Sequence, residues 1–317
     1  MFLLVAQELS ISRAARQAYV TQQCASDHIR KLEEEYGVAL FERRPRLRLT
    51  RAGELLLNTV RQTEKLEHML CQQLHELKGE TSGEISVGMN PTRARILMPE
   101  LLAAFQSFFP NVKVVCMLGD TVELGQLLLA NKLDLFVGVD VASNPAFCRR
   151  ELGREQIFFL ATRQLCQKFL PGEAVERLQQ TGVSLGQLAQ VPMIRNLTAS
   201  TLNLQIDRSL NQHNAAVQAA YFISDYDTQI AMCGSGLGAS FCPLLVLTRV
   251  FEYNRCRPPE EQVHIFPISG VPDVLRIDLV TPSGVEQPKF TVKLMQLLTE
   301  QICGQYAQLA PYHGLEK

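Results

Sequence analysis

Apolar residues recur at helical spacing over roughly the first quarter of the chain. Beyond residue 84 the rhythm changes to short apolar runs alternating with helical stretches. A brief amphipathic segment over residues 2–8 comes first. It is followed by a second over 12–18, whose small residues Ala14, Ala15 and Ala18 allow close crossing of two helices. The next segment sets Ala25, Ile29, Leu32 and Tyr36 on one helical face. Gln22, Gln23, Ser26, Asp27, Arg30 and Lys31 fall on the other face. Thr21 precedes this helix as an N-cap, and Gly37 follows it where a helix ends in left-handed backbone.

Residues 40–49 read as two short strands around Pro45, with Leu47 and Leu49 on one side and Arg46 and Arg48 on the other. Arg43, Arg44, Arg46, Arg48 and Arg51 lie close together with no acid among them. Taken singly, an amphipathic helix is usually a solvated surface helix, and a short arginine run is usually a solvated loop. The order helix, turn, helix and arginine-rich hairpin is far more specific and describes a winged helix-turn-helix. Glutamine amides read adenine in the major groove, and arginine or lysine reads guanine or holds phosphate. The candidate DNA contacts are Thr21, Gln22, Gln23, Ser26, Asp27, Arg30 and Lys31 on the helix, Arg43, Arg44, Arg46 and Arg48 in the wing, and Thr50. Cations that neutralise phosphates release counterions, so binding is expected to be steeply salt-dependent.

From Thr50 a long helical pattern begins, carried by Ala52, Leu55, Leu56, Thr59, Leu66, Leu70 and Leu77, and Lys78-Gly79 closes it. A helix of about 27 residues spans roughly 40 Å. Being half apolar it needs a partner, and a dimer-forming coil over 51–79 is the expectation. Residues 80–83 read as a hinge-like linker. Strands are then expected at 84–89, 112–117, 133–139, 147–152 and 156–161, with helices at 96–108 and 122–130. A second cycle places helices at 173–180, 185–189, 201–211 and 226–233 and strands at 193–195, 216–222 and 238–241. Strands at 263–267 and 274–280 return toward the first lobe, and a helix over 289–306 closes the chain. Such alternation argues for mostly parallel sheets with right-handed crossovers. Two lobes are expected, one of about 84–160 and 268–300 and one of about 161–267. Ligands in such folds lie in the cleft, at strand C-termini and helix N-termini.

Two strand-to-helix turns carry candidate chemistry. One is Asn90-Pro91-Thr92-Arg93, and the other runs from Asn196 through Thr198 to Ser200-Thr201. Both offer amides and hydroxyls at helix starts that can cradle an anion, and Arg93, Arg95 and Arg195 add positive charge. A small carboxylate-bearing metabolite is the expected effector. The competing reading of Thr92, Ser200 and Thr201 is ordinary helix capping.

The series Ala14-Ala15, Gln22-Gln23, Ser26, Ile29, Leu32-Glu33, Gly37, Leu40-Phe41, Arg43, Leu49-Thr50 and Ala52-Gly53 resembles the DNA-binding domain of LysR-type transcriptional regulators. The resemblance continues weakly through Gly236-Leu237-Gly238 to Pro243 and covers about residues 2–299. It implies a multidomain fold: a winged helix-turn-helix over 1–50, a dimerising linker helix over 51–79, and a two-lobed, periplasmic-binding-protein-like α/β effector domain over 84–300. It implies effector contacts at Asn90, Thr92, Arg93, Asn196, Thr198, Ser200, Thr201, Asp225 and Tyr226. Double-stranded DNA, a small-molecule effector and a second copy of the chain are the implied partners, with a tetramer and contact with RNA polymerase beyond them. The chain departs from the family pattern in opening at Met1-Phe2-Leu3-Leu4, inside the family's first helix, and in carrying Tyr19 and Cys24.

Composition narrows the alternatives. The chain has 317 residues, 46% of them hydrophobic, and a net charge of −1, so any nucleic-acid surface is local. No apolar run reaches membrane-spanning length and no signal peptide is read, so a cytoplasmic location without a membrane partner is expected. The nine cysteines are scattered with no C-x-x-C pair, which suits buried reduced thiols. Cys233 and Cys242 nevertheless raise the alternative of a redox-sensing regulator. No phosphate-binding loop, G-x-S-x-G elbow or H-E-x-x-H pattern is present, and the six histidines show no metal spacing. The glycine-rich 234–238 stretch follows a helix and precedes a strand, the reverse of a dinucleotide fingerprint. The chain is therefore read as a non-enzyme without a cofactor or metal. The other alternative is a ligand sensor whose DNA-binding domain does not function.

Overall fold

A computed structural model describes residues 1–42, 46–77, 82–172, 174–196, 200–269 and 275–312, and within 62–77 the side chains of Thr63, Leu66, Glu67, Leu70 and Leu74. Arg43, Arg44, Pro45 and Thr198 lie outside the described residues. The chain forms two compact units, 1–80 and 81–317.

In the first unit, α1 (Phe2–Glu8), α2 (Ile11–Gln17) and α3 (Gln22–Tyr36) precede the strand pair β1 (Phe41–Glu42) and β2 (Arg48–Leu49), and α4 (Arg51–Leu77) follows. Phe2, Val5, Ala14, Ile29, Leu40, Phe41 and Leu57 form its core. The short first helix is well seated, with the Phe2 ring 5.5 Å from that of Phe41. Thr21 caps α3 by accepting the Cys24 N–H, and Gly37 ends it at φ 67. Tyr36, expected on the buried face, is 55% exposed, because the last turn of α3 runs past the core. Thr50 caps α4: its hydroxyl accepts the Gly53 N–H at 3.0 Å and donates to the Ala39 carbonyl at 2.7 Å. Among the described residues, α4 is fastened to this core through Leu57 with Ala52 and Leu56 near its N-terminal end, whereas Leu55, Leu66, Leu70 and Leu74 are exposed.

The second unit contains two mixed sheets. The first joins β3 (Ser82–Met89), β4 (Asn111–Leu118) and β5 (Leu135–Val139) to β6 (Phe147–Glu155), and it is completed by a strand from far down the chain. Its helices are α5 (Pro91–Phe108) and α6 (Thr121–Leu129). The expected linker residues Ser82 and Gly83 are already in β3, paired with Asn111 and Val112. The second lobe runs through β7 (Ile157–Thr162), α7 (Arg163–Phe169), α8 (Val175–Thr181), β8 (Val183–Ser184), β9 (Pro192–Arg195) and α9 (Thr201–Gln212). It continues with β10 (Gln218–Phe222), α10 (Tyr226–Gly234), β11 (Ala239–Pro243), α11 (Leu247–Arg255) and β12 (Val263–Ser269). Then β13 (Leu275–Pro282) returns to the first sheet and α12 (Lys289–Gln308) packs against it. The strand orders are β4-β3-β5-β13-β6 and β10-β9-β11-β7-β12-β8.

Pairing sorts the strands differently from the sequence expectation. β7 lies antiparallel to both β11 and β12, so residues 157–160 belong to the second lobe, and the 263–267 strand stays within that lobe, as the expected bounds of 161–267 have it, instead of returning toward the first. The chain therefore leaves the first lobe at Gln156, and β13 rejoins it between β5 and β6. Each sheet mixes parallel pairs with antiparallel ones around the crossing strands, in place of the mostly parallel sheets expected. Helices α7 and α11 and strand β8 add to the elements expected from the sequence.

Candidate nucleic-acid interface and ligand cleft

Along α3, Thr21, Gln22, Gln23, Arg30 and Lys31 are exposed, and Ser26 and Asp27 are half-buried. Thr21, Gln23, Cys24, Asp27, His28 and Lys31 line one shallow surface groove along this helix. His28 belongs to that face as well. It was not among the expected DNA contacts, although its position one turn after Cys24 was the available signal. Gln22 turns toward α2, where its carboxamide oxygen accepts the Ser12 hydroxyl at 2.9 Å. Arg30 is spanned by Asp27 at 3.1 Å and Glu34 at 3.7 Å, so its charge is partly neutralised in the free chain.

The wing is locked to α3 by Glu33, whose carboxylate accepts the backbone N–H of Leu40 at 2.8 Å and of Phe41 at 3.2 Å. Strand pairing matches Phe41 with Leu49 and Glu42 with Arg48. That register brings an acid into the wing: Glu42 holds the Arg48 guanidinium at 2.5 and 2.6 Å. The expected acid-free cluster is corrected here, because a cross-strand neighbour supplies what the linear run did not display. Arg46 is exposed.

In the second unit, Asn90 caps α5 by accepting the Arg93 N–H at 2.8 Å, and Thr92 is buried beside it. Arg93 is 3% exposed and pairs in bidentate fashion with the fully buried Glu155, at 2.7 and 2.9 Å. Burial works against the Arg93 charge, but the Glu155 carboxylate outweighs it and raises the guanidinium pKa. The Tyr306 hydroxyl donates to the same carboxylate at 2.7 Å. Arg93 is thus spent on an internal lock. Arg95 reaches Asp225 at 3.4 Å and ion-pairs with Asp227, tying α5 of one lobe to the start of α10 of the other. Arg195 is held by Asp207 at 2.8 Å. The three arginines expected to add free positive charge are therefore each neutralised by an acid distant in sequence.

Asn196, Ser200 and Tyr226 do come together. The Asn196 amide donates to the Ser200 hydroxyl at 3.3 Å and to the Tyr226 hydroxyl at 3.4 Å, and its carbonyl oxygen accepts from Gln229 at 2.7 Å. Burial drives the Tyr226 phenol upward despite the Asn196 bond. Ser200 caps α9 through the Asn203 N–H, and Asp225 caps α10 through Thr228. Burial opposes the Asp225 charge, yet the Thr228 hydrogen bonds and Arg95 hold its carboxyl below the usual range.

The open space lies to one side of these turns. A cleft of about 480 Å³ separates α6 and the 139–147 loop of the first lobe from α9 of the second. Thr201 is the one expected effector residue that lines it among the described residues. Its other polar walls include Thr121, Asp140, Ser143, Gln205 and Arg208, which the sequence reading missed. Asp140 directly follows the end of β5, where a ligand is favoured in such sheets, and that was the available signal.

Cys166, Cys233 and Cys242 are buried in the second lobe, and burial pushes all three thiols up, Cys166 to about 11. Neutral, inaccessible thiols are inert, which removes the support for a Cys233–Cys242 redox sensor. Among the described residues no helix is long and apolar enough to cross a membrane.

Comparison with known proteins gives two family matches, the bacterial regulatory helix-turn-helix of the lysR family over residues 1–54 and the LysR substrate binding domain over 78–302. The transcriptional regulator CbbR of Rhodospirillum rubrum is 26% identical over 240 residues, covering 75% of this chain and 76% of that protein. A full-length variant of OxyR from Pseudomonas aeruginosa shares the fold at a TM-score of 0.66 and 18% identity, over 95% of this chain and 92% of that one. Full-length CbnR, solved in complex with its target DNA, does so at 0.59 and 20%, over 95% and 97%.

Proposed function

We propose, for a chain that belongs to the LysR family of transcriptional regulators, the following division of labour within its ligand-responsive, DNA-binding function. The exposed face of α3 enters the major groove, with Gln23, Ser26, Asp27, Lys31 and Thr21 toward bases and nearby phosphates. Gln22 and Arg30 join them by exchanging their partners Ser12 and Asp27 for DNA. The wing, with Arg43, Arg44, Arg46 and Arg48, and the α4 start at Thr50 hold the backbone. α4 pairs two chains, which the exposed Leu55, Leu66, Leu70 and Leu74 support, since an apolar stripe of that length is costly in water. The two α3 helices then read successive turns of a dyad site. Assembly into a tetramer, contact with RNA polymerase and residence in the cytoplasm complete the reading.

The effector is a small carboxylate-bearing metabolite held between the lobes. The observation that carries this is the cleft between α6 and α9, bounded by the N-terminal residues of both helices, Thr121 and Thr201. Asn196, Ser200 and Tyr226 shape its neighbourhood, while Asn90, Thr92 and Arg93 position α5 rather than touch ligand.

Fluorescence anisotropy with the DNA immediately upstream of its own gene, at low and moderate salt, tests the DNA reading. Tight, sequence-selective and salt-sensitive binding is expected. Binding that is indifferent to sequence at every salt concentration would leave only the ligand-sensing half standing. A thermal-shift screen of metabolite carboxylates tests the effector half.

A further inference from the structure

Tyr19 stands at the corner between α2 and α3 with its side chain in water, 97% exposed. Its backbone is left-handed at φ 55, in the place after a helix C-terminus that glycine ordinarily fills. Its N–H donates to the Arg16 carbonyl at 3.2 Å, and the Val20 N–H donates to the Ala15 carbonyl at 3.0 Å, which ends α2. A bulky side chain in this backbone region is strained, and a ring left in water buries nothing in return. The core of the first unit does not include it. The corner is nonetheless well held. The Ser12 hydroxyl donates to Gln22 at 2.9 Å, and Thr21 caps α3 by accepting the Cys24 N–H at 3.1 Å. Tyr19 thus stands three residues before Gln22, the first residue of the reading helix.

Arg16 belongs to the same corner. It is exposed, pairs with no acid among the described residues, and donates through Nε to the Ser12 carbonyl of its own helix at 3.4 Å. Nearby arginines differ: Arg13 is held by Glu8 at 3.1 Å and Arg30 by Asp27 at 3.1 Å. A guanidinium without an acid and a phenol O–H in water are both donors, and phosphate oxygens accept from both. In helix-turn-helix docking, the helix that precedes the reading helix crosses the DNA backbone, which sets this corner at a phosphate rather than at a base edge. α3 has 15 residues and is about 22 Å long, with the corner at its start and the wing root fastened near its end, so the two ends reach different phosphates. We propose that Tyr19 and Arg16 clamp a backbone phosphate at the start of α3, the phenol O–H and the guanidinium donating to its oxygens. This rests on the reading of α3 as the groove helix, and it adds a second hold on the backbone to that of the wing.

The test compares Tyr19→Phe, Tyr19→Gly and Arg16→Gln with the unmodified full chain. Anisotropy is read over a salt series with the DNA upstream of its own gene and with a random duplex, and melting temperature is read beside it. Tyr19→Phe removes one O–H and no charge. It is expected to weaken binding of both duplexes about tenfold and to leave the salt slope unchanged. Arg16→Gln is expected to weaken both and to flatten the logarithmic salt slope by about 0.9. Tyr19→Gly relieves the left-handed backbone. Its melting temperature is expected to hold or rise while its affinity falls at least as far as that of Tyr19→Phe, a pairing of signs that a packing role does not produce.

Binding by Tyr19→Phe and Tyr19→Gly equal to that of the unmodified chain would overturn the clamp and leave the reading of α3 intact. A loss confined to the specific duplex would make Tyr19 a base contact and overturn the phosphate assignment. A lower melting temperature in Tyr19→Gly, in step with its loss of affinity, would assign the ring to the fold instead. Failure of the unmodified chain to bind either duplex would overturn the DNA reading itself, and the clamp with it.

Discussion

The Arg93 guanidinium and the Glu155 carboxylate meet as a buried bidentate pair, joining the first turn of α5 to the residue at which the chain leaves β6 for the second lobe. Removing one partner leaves the other charge buried and unpaired. Arg93→Met is expected to cost the effector domain about 3–5 kcal/mol. Joining Glu155→Met to it should restore most of that loss. Urea unfolding of the two variants checks the order, and a double variant less stable than the single one would contradict it.

Glu42 neutralises Arg48 across the wing strands. Glu42→Gln is expected to release that cation, raising affinity for all DNA at low salt. It should also steepen the logarithmic salt slope by about 0.9. Anisotropy over a salt series reads both.

Gln23 and Arg46 belong to different tasks. Gln23→Ala is expected to reduce discrimination between sites by about 1–3 kcal/mol, whereas Arg46→Ala weakens every sequence alike and flattens the salt slope by about one. Competition between specific and random duplexes separates them, and equal loss of selectivity from both variants would contradict the assignment.

A Cβ at Gly53 would lie 2.1 Å from the Leu40 carbonyl oxygen, a backbone atom that β1 and Glu33 hold in place. Gly53→Ala is expected to destabilise the first unit by about 1–3 kcal/mol, as overpacking does. Melting of the full chain should lose an early transition first, with DNA binding weakened regardless of sequence.

The thiol of Cys166 stays protonated to about pH 11, whereas an unfolded thiol ionises near 8.5. Between those values the unfolded chain binds fewer protons. This contribution to stability is therefore full below about pH 8.5 and is lost as pH rises toward about 11. Urea midpoints from pH 7 to 10 should fall accordingly. Iodoacetamide at neutral pH is expected to label the exposed Cys116, Cys148, Cys256 and Cys303 and to spare Cys166, Cys233 and Cys242.

The first unit was legible because its signals are local. A capping Thr21, a buried face of Ala25 and Ile29, and a terminal Gly37 fall within one helix. The misses share a different origin. Leu244 to Leu247 are all buried, so no polar face marks the approach to α11. β7 is buried along its whole length, and a continuous apolar run does not reveal which sheet receives it. Arg93 looked like a free cation because Glu155 stands 62 positions away in sequence. The cleft residues Asp140 and Gln205 became visible only once two lobes were placed against each other.

β6 and β13 are antiparallel neighbours, with Glu155 opposite Leu275. In the vocabulary of hairpins, the entire second lobe is the loop between them. Closing so long a loop in an extended chain is entropically unfavourable, and the cost falls once the intervening segment is compact and its ends are near each other. During folding, the later-synthesised lobe is therefore expected to mature before the earlier one can finish. The first sheet waits, with β5 and β6 unjoined, for a strand that only the completed second lobe delivers.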